Sequence, residues 1–488
     1  MFHPKISDQR APMPRAATTL ALAMFATTAL TAGAATHSVG PGKPFATPCS
    51  AIAAAANGDI IEIAGGNTYT GDVCAILASN LTIRGVNGRP KIDAGGRNSG
   101  GKAIWVVVGN DITIENVEMF GATVPDQNGA ALRLEGTNFT MRGSFLHDNE
   151  NGILSAANTS SNILIETSEF GHNGFGTGAT HNLYIGQNGS LTFRYNYSHD
   201  ANVGHNLKSR ALVNTISYNR FSSTPPGQAG TTASGQPSYE IDLPNAGTSY
   251  VIGNIIEQPA ANQNPAMLAY GEEGASNAGN DLYVINNTFL NDNSSSGTFL
   301  FIGGSVRTPA LVQNNIFGGV GTVSTQASMI DQTNYRALAP AFVDRAAYNL
   351  TPASGAQFID AGSTPGVSAA GVSLVPTAQY RHLAAFDARP SAGRIDIGAY
   401  ESAAVQPPPG PTPTPTPTPI AIPPSATWSF CSLEGATCQF SGTRKIVYGA
   451  RGKYVVKIAT GAIACNSTVF GDPAVGIAKA CYYTPLIN

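Results

Sequence analysis

Charge is scarce in this chain. Asp, Glu, Lys and Arg make up 12% of its 488 residues, and the formal net charge is −3. No Lys/Arg run or basic patch stands out, so nucleic acid is not an expected partner. Cysteine is missing between Cys74 and Cys431, and no C-x2-C pair has a histidine nearby; a zinc site is not expected either. After the N-terminal region no apolar run is long enough to cross a bilayer. The shortage of charge does not signal disorder, because 42% of the residues are apolar and they are patterned.

What is present divides the chain. Residues 1–35 read as a signal peptide. Lys5, Arg10 and Arg15 precede an apolar run from Ala16 to Ala32, and Ala32-Gly33-Ala34 supplies a small-x-small cleavage pattern. Met13 offers an alternative start. The expected destination is the periplasm or the cell exterior. Six cysteines suit that oxidising compartment. Cys49 and Cys74 lie near the mature N-terminus. Cys431, Cys438, Cys465 and Cys481 lie at the C-terminus, where three pairings are open. Residues 36–403 form the main domain, 404–425 a Pro/Thr-rich linker, and 426–488 a small module that cannot rely on its core alone.

The main domain is written in one recurring phrase. A short apolar-x-apolar strand is followed, three places on, by Asn or a small residue. It runs from Leu81-Thr82-Ile83 through Ile112-Thr113-Ile114 to Leu311-Val312. The following residue is Val86, Val117, Ser144, Ser168, Asn196, Asn219, Asn254, Asn287 and Asn315, in steps of 23 to 35 residues. Such steps predict an all-β fold, a parallel β-helix with one three-strand coil per repeat. Short strands cannot bury an apolar face alone, and stacked coils bury it for one another. The five Asn predict a ladder of side-chain amides at a corner, where Asn also suits left-handed backbone. A helix from Pro48 through Ala56 is expected to cap the open end. Ile395 to Glu401 is expected to close the domain as a strand.

Chemistry gathers on a second strand of each coil. His181-Asn182-Leu183-Tyr184 and His205-Asn206-Leu207-Lys208 are near-copies 24 residues apart, hence adjacent rungs. Alternation sends Asn182 and Tyr184 outward on one rung and Asn206, Lys208 and Arg210 on the next. Glu240 and Asp242 follow, then Tyr270, Glu272 and Glu273. Tyr184, Lys208 and Asp242 then form one column. Such a group suits β-elimination from a uronate sugar, which needs its carboxylate neutralised, the α proton removed and the leaving oxygen protonated. Arg210, or a Ca²⁺ held by Glu240 and Asp242, would serve the first need. Lys208 or Tyr184 would take the proton, and Tyr184, His181 or His205 would give one. Asn182, Asn206 and Tyr270 would hold the sugar. Asp242 should keep Lys208 charged, so the base is Lys208 only with a bound metal, and otherwise Tyr184. Two other readings fit. One is hydrolysis or epimerisation on the same scaffold, with Glu240, Asp242, Glu272 and Glu273 as paired carboxylates for hydrolysis. The other is a non-catalytic glycan-binding or structural charge ladder.

The coil phrase, the entry cap and Asp396-Ile397-Gly398-Ala399-Tyr400-Glu401 resemble secreted right-handed parallel β-helix proteins of the pectin-lyase-like superfamily, over about residues 40–403. Asn206-Leu207-Lys208-Ser209 is loosely similar to the Asn-Lys-Ser phrase of alginate- and dermatan-cleaving lyases. That resemblance implies a lysine base at Lys208. Here Leu207 separates the Asn from the Lys, and the next coil offers Glu240 and Asp242 where those lyases carry an arginine. The tail, with Trp428, Glu434-Gly435, Tyr448-Gly449-Ala450 and Phe470-Gly471-Asp472-Pro473, resembles a small module of secreted carbohydrate-active enzymes. The resemblance implies a monomer acting on an acidic polysaccharide, with glycan binding in the tail.

Overall fold

A computed structural model describes residues 33–176, 178–223, 237–260, 262–391, 393–402, 428–451 and 453–484. The expected signal run and the Pro/Thr-rich linker lie outside the described residues, as do residues 224–236 of a polar insertion. The chain forms two compact units, divided between Ala404 and Val405. Among the described residues, no helix is long and apolar enough to cross a membrane.

The first unit is a parallel β-helix. Its strands stack into three parallel sheets of 10, 12 and 11 strands, here sheets I, II and III. Each coil passes through I, II and III in turn, as with Ala130–Leu134, Phe139–Arg142 and Phe145–His147. Inward side chains stack in register. On sheet II, Ile61, Ile83, Ile114, Met141, Ile165, Phe193, Ile216, Val251, Val284 and Val312 form one line, all fully buried. Burying each such side chain contributes about 1.5–3 kcal/mol, which no single coil could collect alone.

The Asn ladder stands at the corner between sheets II and III. The backbone N–H groups of Asn196, Asn219, Asn254 and Asn287 donate to the Oδ1 of the Asn one coil on, at 2.9, 3.0, 2.9 and 2.8 Å. Each Nδ2 donates to the same oxygen and to a strand carbonyl, as Asn254 does to Asn287 and to Ile216. Every buried amide is therefore satisfied. Ser168, Ser144 and Val117 continue the column backward, and Asn334, beyond the point where the repeat fades in the sequence, extends it forward. Val86 does not belong to it; it lies inside the strand Thr82–Val86. The ladder Asn are also not the left-handed residues. That role falls one place earlier, to Tyr195, Tyr218, Gly253, Asn286 and Asn314. One residue turns the chain and the next bonds the coils.

The cap helix spans Pro48–Ala54, with the Thr47 side chain accepting from the Ser50 N–H. It stops before Ala56, because the Ala56 N–H bonds to Asp59 instead. The Cys49–Cys74 disulfide ties it to the first coil. Residues 395–401 are not a strand. They cross the outside of the coils, where Asp396 accepts from the Asp360 N–H and offers its carbonyl to Asn286. Side chains and single backbone contacts, such as the Ile397 N–H to the Phe358 carbonyl, satisfy this backbone, so no strand partner is needed.

The second unit is a four-stranded antiparallel sheet. Of the three open pairings its disulfides adopt Cys431–Cys438 and Cys465–Cys481.

Candidate active site

The candidate site lies on the outer face of sheet I. The strands Leu183–Ile185, Leu207–Ser209 and Ile241–Leu243 pair so that Tyr184, Lys208 and Asp242 share one line across three rungs. On the next rung Ala269 stands opposite Asp242, and its small side chain leaves room above the carboxylate. Glu272 and Glu273 return to that space from a turn between Gly271 and Gly274, both with positive φ.

Cations and acids interlock here. Lys208 Nζ donates to Asp242 Oδ2 at 2.7 Å and to Glu273 Oε1 at 2.9 Å. Arg210 reaches Tyr184 Oη at 2.8 Å, Glu273 Oε2 at 2.6 Å and Asn245 Oδ1 at 2.5 Å. Burial alone would lower the Lys208 pKa, but the Asp242 and Glu273 carboxylates outweigh it and raise it. Lys208 is a fixed ammonium, as the neighbouring acid led one to expect. Behind it, Asp242 and Glu272 lean on each other. Burial, then their mutual repulsion, drives Glu272 well above the usual carboxylate range, and burial raises Asp242 as well. The two carboxyls hold one proton between them. Asp242 Oδ1 and Glu272 Oε2 are buried with no protein N–H or O–H aimed at them.

An aromatic stack walls the site along the helix axis. Tyr184, His181, His205 and Tyr239 follow one another with ring centroids 5.8, 4.7 and 5.0 Å apart. The Nδ1 of His181 accepts the His205 backbone N–H, and the Nδ1 of His205 accepts that of Tyr239, both at 3.1 Å. The neutral rings therefore carry their proton on Nε2, which in His205 sits 3.2 Å from Asp242 Oδ2. Burial, then the nearby cations, lowers His181 to about 3, and burial lowers His205 strongly too. The burial disfavours the imidazolium form in which either histidine would serve as the expected acid. Both are neutral at ordinary pH, and His205 orients Asp242.

Four expectations are corrected. Asn182 and Asn206 do not face the sugar; they are fully buried. They precede their strands rather than lie in them, so alternation does not reach them. They turn into the corner between sheets III and I, where Asn182 donates to Asn206 at 2.8 Å and Asn206 to Glu240 at 2.5 Å. Glu240 ends that interior ladder and is no partner for Asp242 in holding a metal. Its full burial raises its pKa to about 8. Tyr270 pairs in register with the inward Leu243, is fully buried, and donates to the Gly247 carbonyl at 2.7 Å. The acids that do gather at the site are Asp242, Glu272 and Glu273, each offering an oxygen within 4.8 Å of the others. Tyr239 and Asn245 escaped notice in the sequence. Tyr239 borders a long insertion, and nothing local marks Asn245 as more than a turn residue.

Comparison with known proteins agrees with this architecture. A family model described as a right-handed beta helix region matches residues 61–246. The crystal structure of pectate lyase Pel9A superposes with a TM-score of 0.51 at 16% identity, over 76% of this chain and 97% of that one. At that identity the likeness is one of fold. A Geobacillus virus E2 protein overlaps at 16% identity and a TM-score of 0.36, over 59% of this chain and 56% of its own. An uncharacterized protein of Acanthamoeba polyphaga mimivirus is 43% identical over 63 residues, 12% of this chain and 30% of that protein's length. The chain thus carries the right-handed parallel β-helix fold.

Proposed function

We propose that the protein is a secreted polysaccharide lyase that cleaves a uronate-containing polymer by β-elimination. The observation that carries this reading is the convergence of Lys208, Arg210 and Tyr184 on the outer face of sheet I. Two cations that share the single carboxylate of Glu273 suit a uronate carboxylate in its place. Tyr184 lies beside them with the Arg210 N–H aimed at its oxygen, the place where a proton acceptor is needed. Glu272, kept protonated, suits the leaving oxygen. In the step proposed, Tyr184 Oη takes the proton from the α carbon, the C–H electron pair forms the new double bond, the bond from the β carbon to the glycosidic oxygen breaks, and that oxygen leaves with the Glu272 proton.

A Ca²⁺ is part of the proposal. The hard oxygen donors Asp242 and Glu273 suit it, with Glu272 beside them keeping its proton, and the buried Asp242 Oδ1 without a protein donor is compatible with a cation. When bound, it would add positive charge toward the substrate carboxylate. Hydrolysis is less well supported. The contact between Asp242 and Glu272 leaves no room for the separated carboxyls that inverting or retaining hydrolysis uses. Secretion rests on the signal-like N-terminus and on three disulfides.

The test is to incubate the protein with a panel of uronate polymers, with Ca²⁺ or with chelator, and follow the ultraviolet absorbance of an unsaturated product. New reducing ends without absorbance would indicate hydrolysis. Neither signal, with glycan binding retained, would leave a binding protein.

A further inference from the structure

The C-terminal module has a one-sided charge. Residues 426–488 hold six cations and two acids, a net charge of +4, whereas residues 36–403 hold 18 cations and 27 acids, a net charge of −9. Both acids of the module are used inside it. Glu434 and Asp472 lie 3.3 and 3.1 Å from the Nζ of Lys479, which is 4% exposed. Both acids are partly open to solvent but shared with that one lysine, so the module's other cations carry its outward charge. Lys445, Arg451, Lys453 and Lys457 are all exposed, and among the described residues none of them meets a carboxylate.

These four share one hairpin. Its strands are Thr437–Ala450 and Lys453–Ala464, paired with Lys445 opposite Ile458, Ile446 opposite Lys457 and Ala450 opposite Lys453. Arg451 sits at the tip. By alternation Lys453 and Lys457 share one face of the hairpin and Lys445 takes the other, where Val456 at 53% exposure and Ile458 at 63% lie open beside it. Lys453–Ala464 is an edge strand, and lysine on an edge blocks unwanted strand pairing. That need accounts for Lys453 and Lys457. It does not account for Lys445 and Arg451.

We propose that this hairpin is a docking arm for an acidic polysaccharide. The proposal rests on the reading above for the polymer's class. A β-helix of net charge −9 repels a polyanion at long range, while an arm with cations at its tip and on both faces, and open apolar side chains beside Lys445, suits the carboxylates and apolar faces of a uronate chain. Covalent attachment then raises the local concentration of polymer at the other unit.

Affinity electrophoresis of the full-length protein tests this, in gels containing polygalacturonate, neutral dextran or no polymer. The wild type should be retarded by the polyuronate alone, and about 0.5 M salt should abolish the effect. A fourfold variant, Lys445→Ser with Arg451→Ser, Lys453→Ser and Lys457→Ser, should bind about tenfold more weakly. Lys457→Ser alone, with its melting curve, separates lost binding from lost folding by a smaller shift in the same direction. Equal retardation of variant and wild type would overturn the proposal, as would binding to anionic phospholipid vesicles but not to the polymer. If no polymer is cleaved yet retardation follows the cations, the docking arm stands and the lyase reading falls. If cleavage proceeds and retardation ignores the cations, the reverse holds.

Discussion

Two lines of charged residues run along the axis of the β-helix, on different sheets, and they differ in kind. On sheet II, Glu62, Arg84, Glu115, Arg142, Glu166 and Arg194 stand rung above rung in strict alternation. Arg142 lies 3.3 Å from Glu115 and 2.6 Å from Glu166, and Arg194 lies 2.8 Å from Glu166. On sheet I, the line runs Tyr184, Lys208, Asp242 and then Ala269. Alternation fails there. Two cations share Glu273, two acids crowd behind Lys208, and the Lys208 side chain is only 9% exposed where that of Arg142 is 40%. A matched, wetted ladder holds a sheet face in register and in solution. A mismatched, half-dry cluster stores unequal proton affinities, which is what acid–base chemistry uses.

Breaking each line should show that difference. Tyr184→Phe on sheet I has the largest expected effect, a loss of about 10²- to 10⁴-fold in the rate of unsaturated-product formation, with an unchanged melting temperature. Lys208→Ala should cost about 10²-fold or more by the same assay, and a short amine added back should restore part of it. A smaller effect concerns Glu240, the acid two places before Asp242 that left the line for the interior. Folded, it keeps its proton up to about pH 8, whereas its ordinary pKa is 4.5. Between those values the folded state binds more protons than the unfolded state, so stability falls as pH rises through that window. The wild type should melt lower at pH 8 than at pH 5, and Glu240→Gln should flatten that slope, read by calorimetry across pH. The smallest effect belongs to Arg142→Ala on sheet II, about 1 kcal/mol or less in stability and none on product formation. A large loss of activity there would erase the contrast between the two lines.

The coils were legible because their evidence is periodic. Ile83, Ile114, Met141 and Ile165 each repeat one step, and a run of like positions averages out any single exception. The Asn column was legible for the same reason from Asn196 to Asn315. Asn334 was hidden because its coil has shorter, more exposed strands. The column of Tyr184, Lys208 and Asp242 followed from alternation inside strands. Asn182, Asn206 and Glu240 did not, because they stand one residue before a strand, where the chain is turning and the corner ladder claims their side chains. Tyr270 was misread by one place in register, and one place reverses a side chain from outside to inside. The histidines showed their position in the doubled phrase but not their state. Only burial and two backbone N–H donors make them neutral.

The sequence by itself determined the solenoid, the separate disulfide-bearing module and the strands on which the charged residues gather. Those properties depend on period and composition, which act locally and repeat. Tertiary structure alone decided that Glu272 and Glu273 join the column of Tyr184, Lys208 and Asp242. Glu272 and Glu273 reach Asp242, Lys208 and Arg210 by a turn between two glycines, and no spacing in the chain announces that return. Proton affinity depends on burial and on neighbours a few ångströms away, so the identity of the shared proton and the neutral histidine stack appear only once the coils are closed.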